Sequence, residues 1–219
     1  MTEMHANARY IANAVEVPLI ADSDNGYGNA INVIRTIREY IQTGAAAVHI
    51  EDQIIPKRCG HVAGRQVIPM AEAVGKYRAA SDIRNEIDPD FVLIARTDAR
   101  GAHGGSLDIA IERANAFLEA GADLAFVEGP TDKDEVARIC TEVEGPVFYN
   151  QTGISPRLDE NEMNEFGIAV TILPGATMRV TLQAVYDFAV KLRDNGVMTE
   201  AEFFSDFNDH PVGDFHTFA

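Results

Sequence analysis

Tryptophan is absent from the 219 residues, cysteine occurs only as Cys59 and Cys140, and lysine only as Lys57, Lys76, Lys133 and Lys191. Two cysteines so far apart match no zinc-binding spacing and build no framework of several disulfides, so a reducing compartment suits the chain. No apolar run approaches the roughly 18 residues that a membrane-spanning helix needs. The opening MTEMHANARYIANAVEVP has no basic stretch leading into an uninterrupted apolar one, so no secretory signal is read there and a cytoplasmic location is expected. Positive charge is the scarcest property: 18 Lys and Arg face 34 Asp and Glu, a net charge of −16. So acidic a chain repels phosphate backbones and anionic lipid. That argues against nucleic acid and membranes as partners and leaves a small anion, held by local cations or a metal. Arginine dominates the few basic residues, a bias that fits a high-salt source and an ordinary acidic cytosolic enzyme equally.

What is present is a rhythm. With 46% apolar residues the chain can bury a sizeable core. Short runs rich in Val, Ile, Leu and Phe stand at 17–24, 46–52, 91–98, 124–129, 147–151 and 169–175, each ending abruptly in polar residues or glycine. Near-continuous apolarity marks strands covered on both faces, as in a parallel sheet. Between them lie stretches of helical spacing, such as 29–42, 106–119 and 131–141, after an opening helix over about 2–14. Six βα units spaced by about 30 residues predict an α/β fold of the (β/α)8 TIM-barrel type, roughly 60 residues short of eight units: either two strands are absent or the sheet does not close in the usual way. A doubly wound sheet is the alternative, but NGYGNA after the first run has only two of the glycines that a nucleotide turn uses. Residues 1–196 are expected to form the barrel domain and 197–219 a helical tail.

Chemistry-bearing residues gather where strands become loops, the end at which such barrels place their active sites. Asp22 and Asp24 are spaced to share a strand face, and two hard carboxylates suit Mg²⁺ or Mn²⁺. Glu51, with His49 on its face, closes the second run; Arg96 and Asp98 close the third, Glu128 the fourth and Asn150 the fifth. Acids, an amide and an arginine at one rim predict a metal-and-carboxylate site, Arg96 forking onto a substrate carboxylate. The 53–70 segment is the longest stretch without periodicity, and Lys57-Arg58-Cys59-Gly60-His61 makes it the one place where cations outnumber acids. A thiol among cations is a reactive one, and Gly60 and Gly64 let the loop act as a lid. Cys140 reads as core. His210 and His216 are assigned no role.

The motifs ADSDNGYGN, HIEDQ, PKRCGH, ARTDA, FVEG and YNQTG, in that order between about residues 6 and 195, resemble the isocitrate lyase and phosphoenolpyruvate mutase superfamily. The KRCGH loop is similar to its lyase branch, which acts on isocitrate, 2-methylisocitrate and 2,3-dimethylmalate. The resemblance implies a usually tetrameric (β/α)8 barrel whose C-terminal helix swaps between subunits. It implies that Asp22, Asp24 and Glu51 hold Mg²⁺ directly or through water. Cys59 would be the catalytic cysteine in a loop with Lys57, Arg58, Gly60 and His61, and Arg96, Glu128 and Asn150 would contact substrate. Cleavage of a 2-hydroxy di- or tricarboxylate to pyruvate and a second carboxylate follows. An oxaloacetate decarboxylase, a mutase of the carboxyphosphonate or phosphoenolpyruvate type, and an inactive partner subunit are the rivals. The family's first barrel strand, with a Ser-Gly segment and a further metal-site Asp, is expected upstream of Met1.

Overall fold

The structure is a computed structural model that describes residues 1–207, 210 and 213; His216 lies outside the described residues. Two compact units are present, Met1–Leu173 and Pro174–Ala219. The first begins with α1 (Thr2–Ala14) and continues as β1 (Ile20–Asp22), α2 (Ala30–Ile41), β2 (Ala47–Glu51), α3 (Met70–Ile87), β3 (Val92–Thr97), α4 (Leu107–Glu119), β4 (Leu124–Val127), α5 (Lys133–Glu142), β5 (Val147–Asn150), α6 (Glu160–Phe166) and β6 (Ile168–Ile172). The six strands are parallel and lie in the order of the sequence. They form a half-barrel, the partial closure that the count of βα units predicts.

The helices start where the sequence supplies caps. The Asn29 side chain accepts from Ile31 N and Asn32 N, and the Asn32 side chain answers to Asn29 N, a reciprocal box that opens α2. Asp159 and Glu162 make the same reciprocal box at α6, and Ser106 and Asp132 open α4 and α5 through single side-chain acceptors. Gly167, in the left-handed region at φ 71°, stops α6 and turns the chain straight into β6.

Alternation along the strands makes two cores. Val48 and Ile50 of β2 with Leu93 and Ala95 of β3 face outward and pack with Val33, Ile37, Tyr40, Tyr77 and Phe117 from the helices. Ala47, Ile94, Phe126 and Phe148 point the other way and fill the concave interior. Each large side chain buried contributes about 1.5–3 kcal/mol, so both faces hold strands to the same curvature. The concave row turns polar within two residues toward the C-terminal ends. Ile94 is followed by Arg96, Phe126 by Glu128 and Phe148 by Asn150, so the packing that builds the barrel floor also aims these groups at its mouth.

In the second unit, α7 (Ala176–Asn195) and α8 (Met198–Phe207) pair as a helical hairpin. Gly196 turns the chain at φ 76°, Thr199 Oγ1 donates to Lys191 O at 3.3 Å, and the Phe188 and Phe203 rings meet edge to face at 5.4 Å.

Candidate active site

The turn after β1 is where one expectation is revised in detail. β1 ends at Asp22, and Asp24 does not continue the strand: its φ of 51° is left-handed, as is that of Tyr27 at 59°. Asp22 and Asp24 come together through the turn, the Asp22 Oδ1 accepting from Asp24 N at 2.8 Å. Such conformations are costly for residues with a Cβ and persist only where the surroundings fix them. Here Glu51 N donates to Asp24 O at 2.8 Å, Thr36 Oγ1 to Gly26 O at 3.0 Å, Tyr40 OH to Asp22 O at 2.8 Å, and the buried Lys76 ammonium to Asn25 O.

Along the rim the expected residues form a connected set. Arg96 donates from Nε and Nη2 to both oxygens of Asp98, at 3.0 and 3.1 Å. Its Nη1 lies 3.3 Å from Glu128 Oε2 and its Nε 3.5 Å from Glu51 Oε2, while the guanidinium rests 5.0 Å above the Phe126 ring. Asn150 Nδ2 reaches Glu128 at 3.1 Å. Burial opposes the Arg96 charge, but Asp98, Glu128 and Glu51 outweigh it and raise its pKa further. Burial lifts the Glu51 carboxyl to about 7, helped by Asp98 and Asp22 and opposed by Arg96 and Lys57. Burial also holds the His49 imidazole below its ordinary value, against the pull of Asp22 at 3.8 Å.

The 53–67 loop closes onto this rim from an antiparallel neck, where Gln53 bridges Val67 and Ile54 N donates to Gln66 O at 3.0 Å. Lys57 Nζ lies 2.5 Å from Asp24 Oδ1 and 3.4 Å from Glu51 Oε2. Burial opposes its charge, and these acids with Asp22 more than compensate, so its pKa is raised. Gly60 is buried, and a Cβ on it would collide with the Arg96 guanidinium and with Glu128, so the backbone seats there because glycine is present. His61 Nε2 lies 3.4 Å from Glu128 Oε1. Arg58 turns back instead: its amide donates to Gln53 Oε1 at 3.0 Å and its Nη1 to Ala63 O at 3.3 Å. Cys59 is a free, exposed thiol beside the seated glycine, and Cys140 is half-buried, its pKa raised by burial to about 11.

A divalent cation is tested by the donor set. Among the described residues no three His, Cys, Asp or Glu side chains converge closely enough to enclose an ion by themselves. Yet Asp22, Asp24 and Glu51 offer only oxygen, Glu51 Oε1 is buried without a hydrogen-bond partner, and an ammonium already lies between Asp24 and Glu51. That suits a hard cation that keeps several waters, the habit of Mg²⁺. His49 Nδ1, His61 Nδ1 and Asn150 Oδ1 are likewise buried without partners. Native proteins leave few such atoms, and their gathering here makes this rim the candidate ligand site.

Three residues at this end escape a reading of motifs alone. Asp52, 1% exposed, accepts from Thr97 Oγ1 at 2.7 Å, Asp98 N at 3.0 Å and Arg113 Nε at 2.7 Å, while Ile68 N donates to its carbonyl at 2.9 Å. It thus ties the loop's return to the end of β3. Arg113 and Arg65 complete the charge balance from α4 and the loop. The only sequence signal is a second acid directly after Glu51, since partners 45 or more positions away leave no local trace.

Comparison with known proteins fits this geometry. A family model described as phosphoenolpyruvate phosphomutase matches residues 1–193. The chain is 44% identical over 215 residues, 95% of its length, to 2,3-dimethylmalate lyase of Eubacterium barkeri, covering 73% of that protein. It is 38% identical over 202 residues to 2-methylisocitrate lyase of Aeropyrum pernix, covering 91% of the chain and 64% of the relative. Among solved structures, phosphonopyruvate hydrolase in complex with oxalate and Mg²⁺ aligns with a TM-score of 0.81 at 31% identity, over 91% of this chain and 69% of that one. The chain therefore spans about two thirds of the length of several relatives it matches.

Proposed function

Because the chain belongs to the phosphoenolpyruvate mutase and isocitrate lyase superfamily, we propose that it cleaves a carbon–carbon bond in a 2-hydroxy di- or tricarboxylate related to 2,3-dimethylmalate or 2-methylisocitrate. Pyruvate and a second carboxylate are the products. The observation that carries the reading is the seating of Gly60 against Arg96 and Glu128, which holds the Cys59 loop over the polar rim.

Asp22, Asp24 and Glu51 are the residues that would hold Mg²⁺ or Mn²⁺. Bound there, the cation supplies Lewis acidity to the 2-hydroxyl and to the 2-oxo acid left by the cleavage. Arg96 takes a substrate carboxylate through its planar fork, and the Gly60 backbone with the Asn150 amide and Glu128 orients the rest of the chain. As the carbon–carbon bond breaks, its electron pair stays on the second fragment, the 2-hydroxyl gives its proton to solvent and becomes the 2-oxo group, and Cys59 Sγ–H protonates the released carbon. The thiolate then regains a proton from solvent, in the field of Lys57 and Arg58 with His61 beside them. Seating the loop fixes where Cys59 meets the substrate, so that carbon takes its proton from a defined position.

The test is an assay of pyruvate release from 2,3-dimethylmalate, 2-methylisocitrate and oxaloacetate side by side with Mg²⁺. Cleavage of either hydroxy acid, reduced about a hundredfold or more in Cys59→Ser, is expected, since a general acid contributes ~10²–10⁴ in rate. Full activity in that variant would remove Cys59 from the mechanism. Pyruvate from oxaloacetate alone would instead favour a decarboxylase. A tetramer in the cytoplasm is the assembly and location this reading carries, and light scattering on the purified chain checks the former.

A further inference from the structure

Arg65 stands at the return of the loop, 4% exposed, and no step of the proposed mechanism uses it. Its carbonyl accepts from His103 N at 2.9 Å, and its guanidinium lies over Gly101, where any Cβ would collide with it. The side chain is thereby fixed between the loop and the connection from β3 to α4. Its Nη1 is 3.7 Å from Asp98 Oδ1, and neither Nε nor Nη1 has a hydrogen-bond partner. A buried guanidinium with unmet donors is unfavourable, so this position needs a reason beyond packing.

Arg96 supplies it. Its Nε and Nη2, the fork that would grip a carboxylate, are both committed to Asp98, and its Nη1 faces Glu128. Asp98 is fully buried, so moving that fork to a substrate would strip a buried carboxylate of its counter-ion unless another cation takes over. The nearby Arg113 is already committed to Asp52 and to Ile68 O. Arg65 is the cation at hand, close enough to bond Asp98 after a shift of under about 1 Å.

We propose that Arg65 is a positioning residue that takes over the charge of Asp98 and so frees Arg96 to bind the substrate carboxylate. This rests on the role proposed above for Arg96. The experiment is a double-mutant cycle of Arg65→Met and Asp98→Asn, with Arg65→Lys as the conservative variant, each also followed by thermal unfolding. Arg65→Met is expected to raise KM about tenfold with kcat within about threefold, and Arg65→Lys to recover part of the loss. In the Asp98→Asn background, where no charge needs a counter-ion, Arg65→Met should change KM by less than about twofold. An unchanged KM, or the same factor in both backgrounds, overturns the proposal. If Arg65→Met does not fold, Arg65→Lys and Arg65→Gln carry the same comparison. If the wild-type chain turns over none of the acids, the functional reading fails, and the cycle is read from calorimetric binding of oxalate with Mg²⁺. There a tenfold weakening confined to the Asp98 background upholds the positioning role. Equal affinities, or no oxalate binding by wild type, overturn it.

Discussion

Glu51 shows how one residue carries opposed demands. Buried at 1% exposure, its carboxyl titrates at about 7, so the fold favours the protonated form. A raised acid pKa means that the folded chain binds the proton more tightly than the unfolded one. Stability from this group is therefore greatest below about pH 4.5 and declines as pH rises to about 7. In chelator-treated protein, Glu51→Gln should unfold like wild type near pH 4.5 and be more stable by roughly 3 kcal/mol at pH 8 in urea titrations. Equal stability at pH 8 would refute the burial argument. Asp52, directly beside it, is also raised by burial, but Arg113, the Asp98 amide and Thr97 bond its carboxylate and oppose that rise. Asp52→Asn leaves Arg113 buried without a counter-ion and should cost about 3–5 kcal/mol in unfolding free energy. Sequence reading separates neither fate, since both are acids in HIEDQ and only their distant partners differ.

At the scale of elements, the loop between β2 and α3 decides whether the site exists. Gly60→Ala is expected to reduce kcat/KM by about a hundredfold, the order of loss that small misplacements produce, while leaving the melting temperature nearly unchanged. A variant that melts early but turns over normally would contradict the seated loop. Most of the elements were legible because caps and stops are local: Asn29, Ser106 and Asp132 stand where the periodic stretches begin. The turn after β1 was not legible in the same way. Spacing puts Asp22 and Asp24 on one strand face, yet contacts from Tyr40, Thr36, Lys76 and Glu51 draw the chain into left-handed conformations that alternation does not encode. Likewise, cation density singles out Lys57 to His61, but only the closed loop sends Lys57 and His61 to carboxylates and turns Arg58 back upon itself.

For the molecule as a whole, β1 and β6 each pair on one side only. β6 is also less buried than β2 or β5, every residue of it being half-buried or exposed. Amides of β6 should accordingly exchange with deuterium far sooner than those of β3, which is paired on both sides. Equal protection would mean that something covers the edge in solution. The net charge of −16 works against the compact state, so raising KCl from about 0.05 to 1 M should raise the melting temperature by screening self-repulsion.

The sequence by itself determined the six-strand parallel rhythm, the rim at which chemistry gathers and the family, because periodicity, caps and short motifs are properties of neighbouring residues. The tertiary structure alone decided which charges meet. Glu51 with Arg96 and Lys57, Asp52 with Arg113, and Arg65 with Asp98 are pairings between separate elements. Their effect depends on burial, where a charge is stabilised or penalised by groups within a few ångströms whatever their separation along the chain.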